Sequence, residues 1–395
     1  MIERTISDYL RRLGRQFPVV AITGPRQSGK TTLAKAVFRD FSYVNLEDPN
    51  LRREAMADGA TFLLNHPAPL IVDEAQRVPE LLSHVQVAVD AEGARSVRYV
   101  LTGSHQPKLR EGLSQSLAGR VGIARLLPLS LRELSSAGRF GERDETAFRG
   151  FMPRLHDGPE ADPADFWPNY VATYLERDVS QILRLKDRNR FETFLALAAG
   201  RVGQLLNYDS IASDVGVSAV TVKDWISVLE ASFVAFTLPC FYRNYGKRFV
   251  KAPKLYFCDT GLVCSLLGIR SPEQLARDPL VGNVFENMVV ADAFKERFNA
   301  GRQPDLYFIR DRKGTEVDLA VLDGRALDLW EIKSARTFSP DFAAALKTVR
   351  AYIPETRRCG VVYAGTRFVG GDVDFVPYGE FGRHLAGTSG SLSLF

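Results

Sequence analysis

At 395 residues the chain is too long for one ordinary core, so two or three domains are expected. Its 45% hydrophobic and 25% charged residues are the composition of a soluble globular protein, and no apolar run approaches the ~18 residues of a membrane span. A net charge of +4 is compatible with nucleic acid but does not by itself point to it.

The N-terminal stretch "MIERTISDYLRRLGRQFPVV" lacks the apolar core of a signal peptide, so a cytoplasmic protein without membrane contact is expected. Cys240, Cys258, Cys264 and Cys359 form no CxxC pair, which argues against zinc or a disulfide framework and for buried free thiols.

Residues 1–140 alternate strand-like and helical runs, the pattern of a parallel α/β sheet. Strands are predicted at 18–23, 43–46, 70–74, 98–103 and 125–129. The polar stretch "SSAGRFGERDE" (135–145) reads as a linker, and 141–272 as a linker plus a largely helical, winged-helix-like domain. Residues 273–395 return to mixed α/β and end in a Gly/Ser-rich tail expected to be loosely held.

After the first predicted strand, "GPRQSGKT" matches G-x4-G-K-[ST] and leads into a helix. Backbone N–H groups of Gly24, Pro25 (which supplies only its carbonyl), Arg26, Gln27, Ser28 and Gly29, followed by Lys30, Thr31 and Thr32 at a helix start, suit the phosphates of ATP. Lys30 is expected to reach the β- and γ-phosphates and Thr31 to ligate Mg²⁺. In "LIVDEAQ", Asp73 is expected to hold the Mg²⁺ shell and Glu74 to act as base for the attacking water. In "LTGSH", Thr102 or Ser104 would sense the γ-phosphate. Hydrolysis also wants a cation on the transferred phosphoryl group, with Arg120 as first candidate and Arg177 as second, either acting across a homo-oligomer interface.

"DSIASDVGVSAVTVKDWISVLEASFVAFTLP" reads as helix–turn–helix followed by a strand. Gly216 supplies the turn, Ser218 caps the second helix, and Lys223 is its one cation. Such a unit either contacts DNA or serves as a packing module. Next, "FYRNYGKRFVKAPK" interleaves Arg243, Lys247, Arg248, Lys251 and Lys254 with aromatic residues, as suits a phosphate backbone or unpaired bases.

Near the C-terminus, "EVDLAV" and "LDLWEIK" read as antiparallel strands joined by a turn at "LDGRA". Val317, Leu319 and Val321 are expected on one face of the first, with Asp318 on the other. Glu331 and Lys333, two apart, share a face. Glu286 lies in "VGNVFENMVVADAF" among apolar helix neighbours, and a buried acid there needs a partner. Glu286, Asp318 and Glu331 are expected to converge on one divalent metal beside Lys333, the layout of a restriction-endonuclease-like site.

The phrases "GPRQSGKTTL", "YVNLEDP", "LIVDEAQRVP", "VLTGS", "SLAGRV", "YLERDV", "PKLYFCDTGL", "GNVFEN", "GTEVDLAV" and "WEIKSA" cover nearly the whole chain in order. In these the chain resembles the bacterial and archaeal AAA-type P-loop ATPases that carry a C-terminal nuclease-like domain of unknown function. The resemblance implies an ATPase core, a winged-helix-like middle and a restriction-endonuclease-like α/β end, with ATP and Mg²⁺ as cofactors. "EVD" departs from the Pro-Asp form of that nuclease superfamily, which leaves two expectations. One is an ATP hydrolase acting on DNA, with a domain that binds it and is a candidate to cleave it. The other is an NTP-dependent switch for protein partners, with a non-cleaving scaffold.

Overall fold

The computed structural model describes residues 2–93, 96–104, 116–158, 161–173, 188–241, 251–368 and 371–386. The expected loose tail beyond residue 386 lies outside them.

Five parallel strands form the first sheet: β1 (Val19–Gly24), β2 (Ser42–Asn45), β3 (Leu70–Asp73), β4 (Tyr99–Ser104) and β5 (Val121–Arg125), in the order β2-β3-β4-β1-β5. β1 and β4 are buried on both faces because helices cover both. Val19 and Ala21 pack with Val72, Leu101 and the helix Leu81–Glu92, while Val20 and Ile22 pack with Leu10, Leu13 and Leu33.

The fifth strand lies at Val121–Arg125 rather than the expected 125–129. Pro128 has no N–H to give a ladder. Leu127 and Leu129 instead enter the core shared with the downstream helices.

The middle region contains helices Arg188–Ala199, Tyr208–Val215 and Ala219–Ala231. Asn207 and Ser218 cap the last two, and Gly216 closes the first of that pair at φ +76°, where glycine carries no Cβ penalty. The apolar face Ile211, Val215, Val222, Trp225, Ile226 and Leu229 is buried, but Val220 stands 69% exposed. β6 (Ala235–Leu238) pairs antiparallel with β7 (Lys254–Phe257).

The last unit opens with the long helix Val281–Asn299 and a second sheet, order β12-β11-β10-β9-β8. β8 (Leu306–Arg310), β9 (Glu316–Asp323) and β10 (Ala326–Lys333) are antiparallel neighbours. The helix Ala344–Arg350 then leads to β11 (Thr356–Tyr363), parallel to β10, and β12 (Asp374–Pro377) runs parallel to β11. One sheet face packs on the long helix through Leu319, Val321, Trp330 and Ile332. The other packs on the helix Ala344–Arg350 through Val317, Ala320, Leu327 and Leu329.

That division corrects the expected strand face. Tyr307 pairs with Ala320 and Ile309 with Val317, so β9 carries one residue more than β8 across this stretch. The bulge puts Val317 on the opposite face from Leu319 and Val321, and it spans Asp318 and Leu319.

Candidate nucleotide site and carboxylate cluster

β1 ends at Gly24, and the loop after it passes through positive φ at Gln27 (62°) and Gly29 (90°) before the helix Lys30–Val37. Those conformations turn the backbone into an N–H-lined bowl over the helix start. The Ser28 hydroxyl donates to the Pro25 carbonyl at 2.9 Å. Lys30 is buried, and its ammonium donates to the carbonyls of Gly24 (3.1 Å) and Pro25 (2.8 Å). Burial pulls its pKa down to about 8, against the favourable charges of Glu74 and Asp73.

Asp73, at the end of β3, is the hub of the site. Its carboxylate accepts from Thr31 Oγ1 (2.7 Å), Tyr43 OH (2.9 Å) and Thr102 Oγ1, and from the Glu74 N–H (3.1 Å). Glu74 itself adopts a left-handed conformation (φ 54°), which swings its side chain out of the strand. Gln76 Nε2 donates to the Glu74 carboxylate and to Ser104 Oγ (3.1 Å). Of the two expected γ-phosphate sensors, Thr102 is therefore bound to Asp73, and Ser104 is joined to Glu74 through Gln76.

Arg26, Gln27, Gly29, Lys30, Thr31, Thr32 and Glu74 line a cavity of about 540 Å³. An adjoining cavity of about 310 Å³ shares Gly29 and Thr32 and is walled by Ile2, Arg4, Leu33, Val37 and Pro153. The donor set fits a nucleotide and a divalent cation. Thr31 and Asp73 place a hydroxyl and a carboxylate 2.7 Å apart, and the Lys30 ammonium rests on carbonyls it can exchange for phosphate oxygens.

Arg120 does not reach this cavity in its own chain. It precedes β5 and its carbonyl accepts the Val19 N–H, at the opposite end of β1 from the phosphate loop, roughly 16–20 Å away at strand rise. Its guanidinium is bound twice to Asp90, at 2.6 and 2.8 Å. Arg177 lies outside the described residues.

Two residues of this site escaped sequence reading. Arg4 is buried and donates to Ser28 O (2.8 Å), Leu127 O (2.7 Å) and Glu133 Oε1 (3.1 Å), so it ties the phosphate loop to the exit of the sheet. Arg154 lines the larger cavity from the short turn Pro153–Leu155. Nothing local marks either one, because both act through distant segments.

In the second sheet the ladder between β9 and β10 stops at Leu319 and Trp330. Asp318 Oδ2 takes the next donor, the Ile332 N–H, at 2.8 Å. Lys333 Nζ lies 2.6 Å from Glu331 and 3.8 Å from Asp318, so the expected pairing of these three is present. Glu286 accepts from Lys254 Nζ (3.0 Å) and Tyr256 OH (2.6 Å), and lies near enough to Asp318 and Glu331 for their charges to interact. Lys254, only 2% exposed, also contacts Glu316 at 2.6 Å.

Burial and the nearby Asp318 charge raise Glu286 to about 7 and Glu331 to about 8. Burial pulls Lys254 down, but Glu286, Asp318 and Glu316 more than offset it and raise its pKa overall. Lys333 is raised in the same way by Asp318 and Glu331.

Glu286, Asp318 and Glu331 thus share one cluster in which each acid also has a protein donor, and among the described residues no group of three or more His, Cys, Asp or Glu is arranged to hold a metal ion. Lys254, grouped by sequence with the basic loop, is carried into this cluster at the start of β7. Tyr256, two residues on, shares its strand face, which is the one periodic signal that could have found the pair. Of the expected DNA contacts, Lys223 and Lys251 are exposed, and Arg243, Lys247 and Arg248 lie outside the described residues.

Residues 16–135 match the family described as an AAA domain, and this part of the chain is an AAA-type P-loop ATPase module. Residues 141–273 and 281–381 match two domains of unknown function, DUF8612 and DUF4143. The chain belongs to the family of uncharacterized protein Rv2008c of Mycobacterium tuberculosis, with which it is 32% identical over 361 residues, 90% of this chain and 78% of that protein. Uncharacterized protein Mb2031c of Mycobacterium bovis matches to the same extent.

Among solved structures, the chain is similar to the Walker-type ATPase PABY2304 of Pyrococcus abyssi (14% identity, 67% of this chain and 96% of that one, TM-score 0.43). It is also similar to the RuvB Holliday junction branch migration motor of Thermotoga maritima (18% identity, 59% and 89%, TM-score 0.31). No described helix is long and apolar enough to cross a membrane.

Proposed function

We propose that the chain is a Mg²⁺-dependent ATP hydrolase that couples turnover to binding and remodelling of DNA. The observation that carries the hydrolase half is Asp73. It holds Thr31 on one side and positions Glu74 on the other, at the mouth of a cavity floored by Lys30. Lys30 and the loop N–H groups hold the phosphates, and the adjoining cavity beside Leu33 and Val37 takes the base. Thr31 and Asp73 would hold a divalent metal, which would supply charge neutralisation at the phosphates. Glu74, steadied by Gln76, orients and deprotonates the attacking water.

The DNA half is supported by topology. A helix, three antiparallel strands, a crossover helix and a parallel strand, with Asp318, Glu331 and Lys333 at one end of β9 and β10, is a restriction-endonuclease-like arrangement. Helices Tyr208–Val215 and Ala219–Ala231 followed by the β6–β7 ribbon make a winged-helix-like unit bearing exposed Lys223 and Lys251. The test is ATP turnover with and without linear, single-stranded and branched DNA. Stimulation by one form is expected, and equal rates with all of them count against the DNA half.

One observation favours a second reading. Lys254, between Glu286 and Glu316, offsets part of the cluster's charge internally, as in a scaffold that binds without cutting. An NTP-dependent switch for protein partners would use such a scaffold. Incubating labelled DNA with Mg²⁺ or Mn²⁺, comparing wild type with Asp318→Ala and Glu331→Ala, separates the two readings. Cleavage lost in both variants would reject the non-cutting scaffold.

A further inference from the structure

Large apolar rings are normally buried, so a pair of them left in water is informative. Among the described residues two phenylalanines stand exposed, Phe338 at 38% and Phe368 at 45%. They touch each other, with ring centroids 4.6 Å apart.

Both rings come from one end of the second sheet. Phe338 is the fifth residue after Lys333, which ends β10, and Phe368 is the fifth after Tyr363, which ends β11. The two strands are parallel, with Lys333 opposite Tyr363, so both loops open beside Glu331 and Lys333. The backbone between Lys333 and Phe338 spans at most about 17 Å. That is about five nucleotides of one DNA strand at about 3.4 Å each.

The pair is firmly backed. The buried Phe375 ring lies 4.6 Å behind Phe338. Phe368 and Phe375 exchange both backbone hydrogen bonds, at 3.2 and 3.3 Å. The Ala364 N–H donates to the Ala335 carbonyl at 3.1 Å and ties one loop to the other. Gly365 permits that approach, because a Cβ there would lie 2.5 Å from the Arg336 carbonyl oxygen.

The loops themselves are cationic. Between Glu331 and Asp341 the chain carries Lys333 and Arg336 and no acid, and from Tyr363 to Gly371 it carries Arg367 and no acid. Arg336 meets Glu142 at 3.3 Å and Asp144 at 3.6 Å, and Arg367 meets Glu380 at 2.6 Å. The two guanidiniums are 58% and 44% exposed, so these pairs hold them weakly and leave N–H donors for a phosphate. Flat rings flanked by cations fit a polyanion whose bases present their faces. Within a duplex those faces are covered by neighbouring bases.

We propose that Phe338 and Phe368 form a stacking platform for unpaired bases of single-stranded DNA. Arg336 and Arg367 hold its phosphates, and the strand leads towards Glu331 and Lys333. The proposal rests on the DNA half of the proposed function and deepens it, by naming the form of DNA that is held.

The experiment measures the affinity of the full chain, without nucleotide, for labelled oligothymidylate and for an abasic strand of equal length. Duplex and branched DNA are compared with them, over a range of salt. Wild type should bind oligothymidylate roughly tenfold tighter than the abasic strand. Phe338→Leu and Phe368→Leu keep an apolar side chain but lose the flat ring, and each should remove most of that preference. Phe338→Trp should keep it. Arg367→Gln should weaken both strands alike and lower the salt slope by about 0.7, the value for one phosphate contact on a single strand.

Equal binding of the two strands by wild type, or an unchanged preference in both leucine variants, overturns the platform and leaves DNA binding through other contacts standing. No binding to any of these DNAs overturns the DNA half and the platform together. A wild-type dimer that Phe368→Leu converts to a monomer in sedimentation would place a second copy of the chain on the rings, and overturns the platform as well.

Discussion

Arg4 holds Glu133 at 3.1 Å across the molecule while donating to the carbonyl of Ser28 in the phosphate loop. Glu133 is in turn the third residue of a capping box with Ser130, at the start of the helix Leu131–Ser136. The next N–H, of Leu131, donates to Asp292 on the long helix of the C-terminal unit at 2.7 Å. A buried polar path therefore runs from the phosphate loop to the helix that also carries Glu286.

Arg4→Met removes the charge from that path and leaves Glu133 buried without its cation. A loss of about 3–5 kcal/mol in stability is expected, readable by urea unfolding. ADP binding should weaken as well, because Ser28 loses the donor that fixes its carbonyl. Unchanged stability would mean Glu133 is satisfied by its backbone donors alone.

Lys30 makes nucleotide binding depend on pH. Its folded pKa, about 8, lies below its ordinary 10.5. Between these values the unfolded chain holds more protons than the native one, so this group makes stability rise with pH across that window. Phosphate needs the ammonium, so ATP affinity should fall as pH passes about 8, with proton uptake on binding near pH 8.5. Calorimetry in two buffers of different ionisation enthalpy reads the uptake; identical heats after buffer correction would contradict it.

Glu74→Gln should keep ATP binding while lowering kcat by about 10²–10⁴, the range for a lost general base. Fluorescent ATP binding and phosphate release, measured on the same preparation, separate the two effects. A variant with wild-type turnover would move the base elsewhere.

The C-terminal cluster has the opposite pH signature. Glu286 and Glu331 are raised to about 7 and about 8, above their ordinary 4.5. The native state then holds the extra protons, so their stabilisation is present in full below 4.5 and is lost as pH rises through 7 and 8. Urea unfolding should show stability declining from pH 5 to about 8 and levelling off above it, and Glu331→Gln should flatten that decline. An equal slope in the variant would remove Glu331 from the account.

Lys254→Met tests which cation the cluster needs. Glu286 and Glu316 would lose their shared ammonium, and about 3–5 kcal/mol of destabilisation is expected. Added Mn²⁺ should restore part of the unfolding midpoint in this variant and leave wild type unmoved. A wild-type shift with Mn²⁺ would show that metal competes with Lys254.

Features that depend on local pattern were legible in the chain itself. The strand, glycine loop and helix around Lys30 follow from near-neighbour chemistry, and so do Asp73 at a strand end and the Gly216–Ser218 turn. Period-two spacing also placed Glu331 with Lys333. Tertiary structure alone decided which charges meet. Lys254 left its basic stretch for Glu286 and Glu316, Arg120 went to the far end of β1, and Arg4 and Arg154 came to the phosphate loop from either side of it in sequence. Side-chain pairs this distant along the chain leave no periodicity behind. They are set by how the sheets and helices stack, and by the need of each buried charge to find a partner.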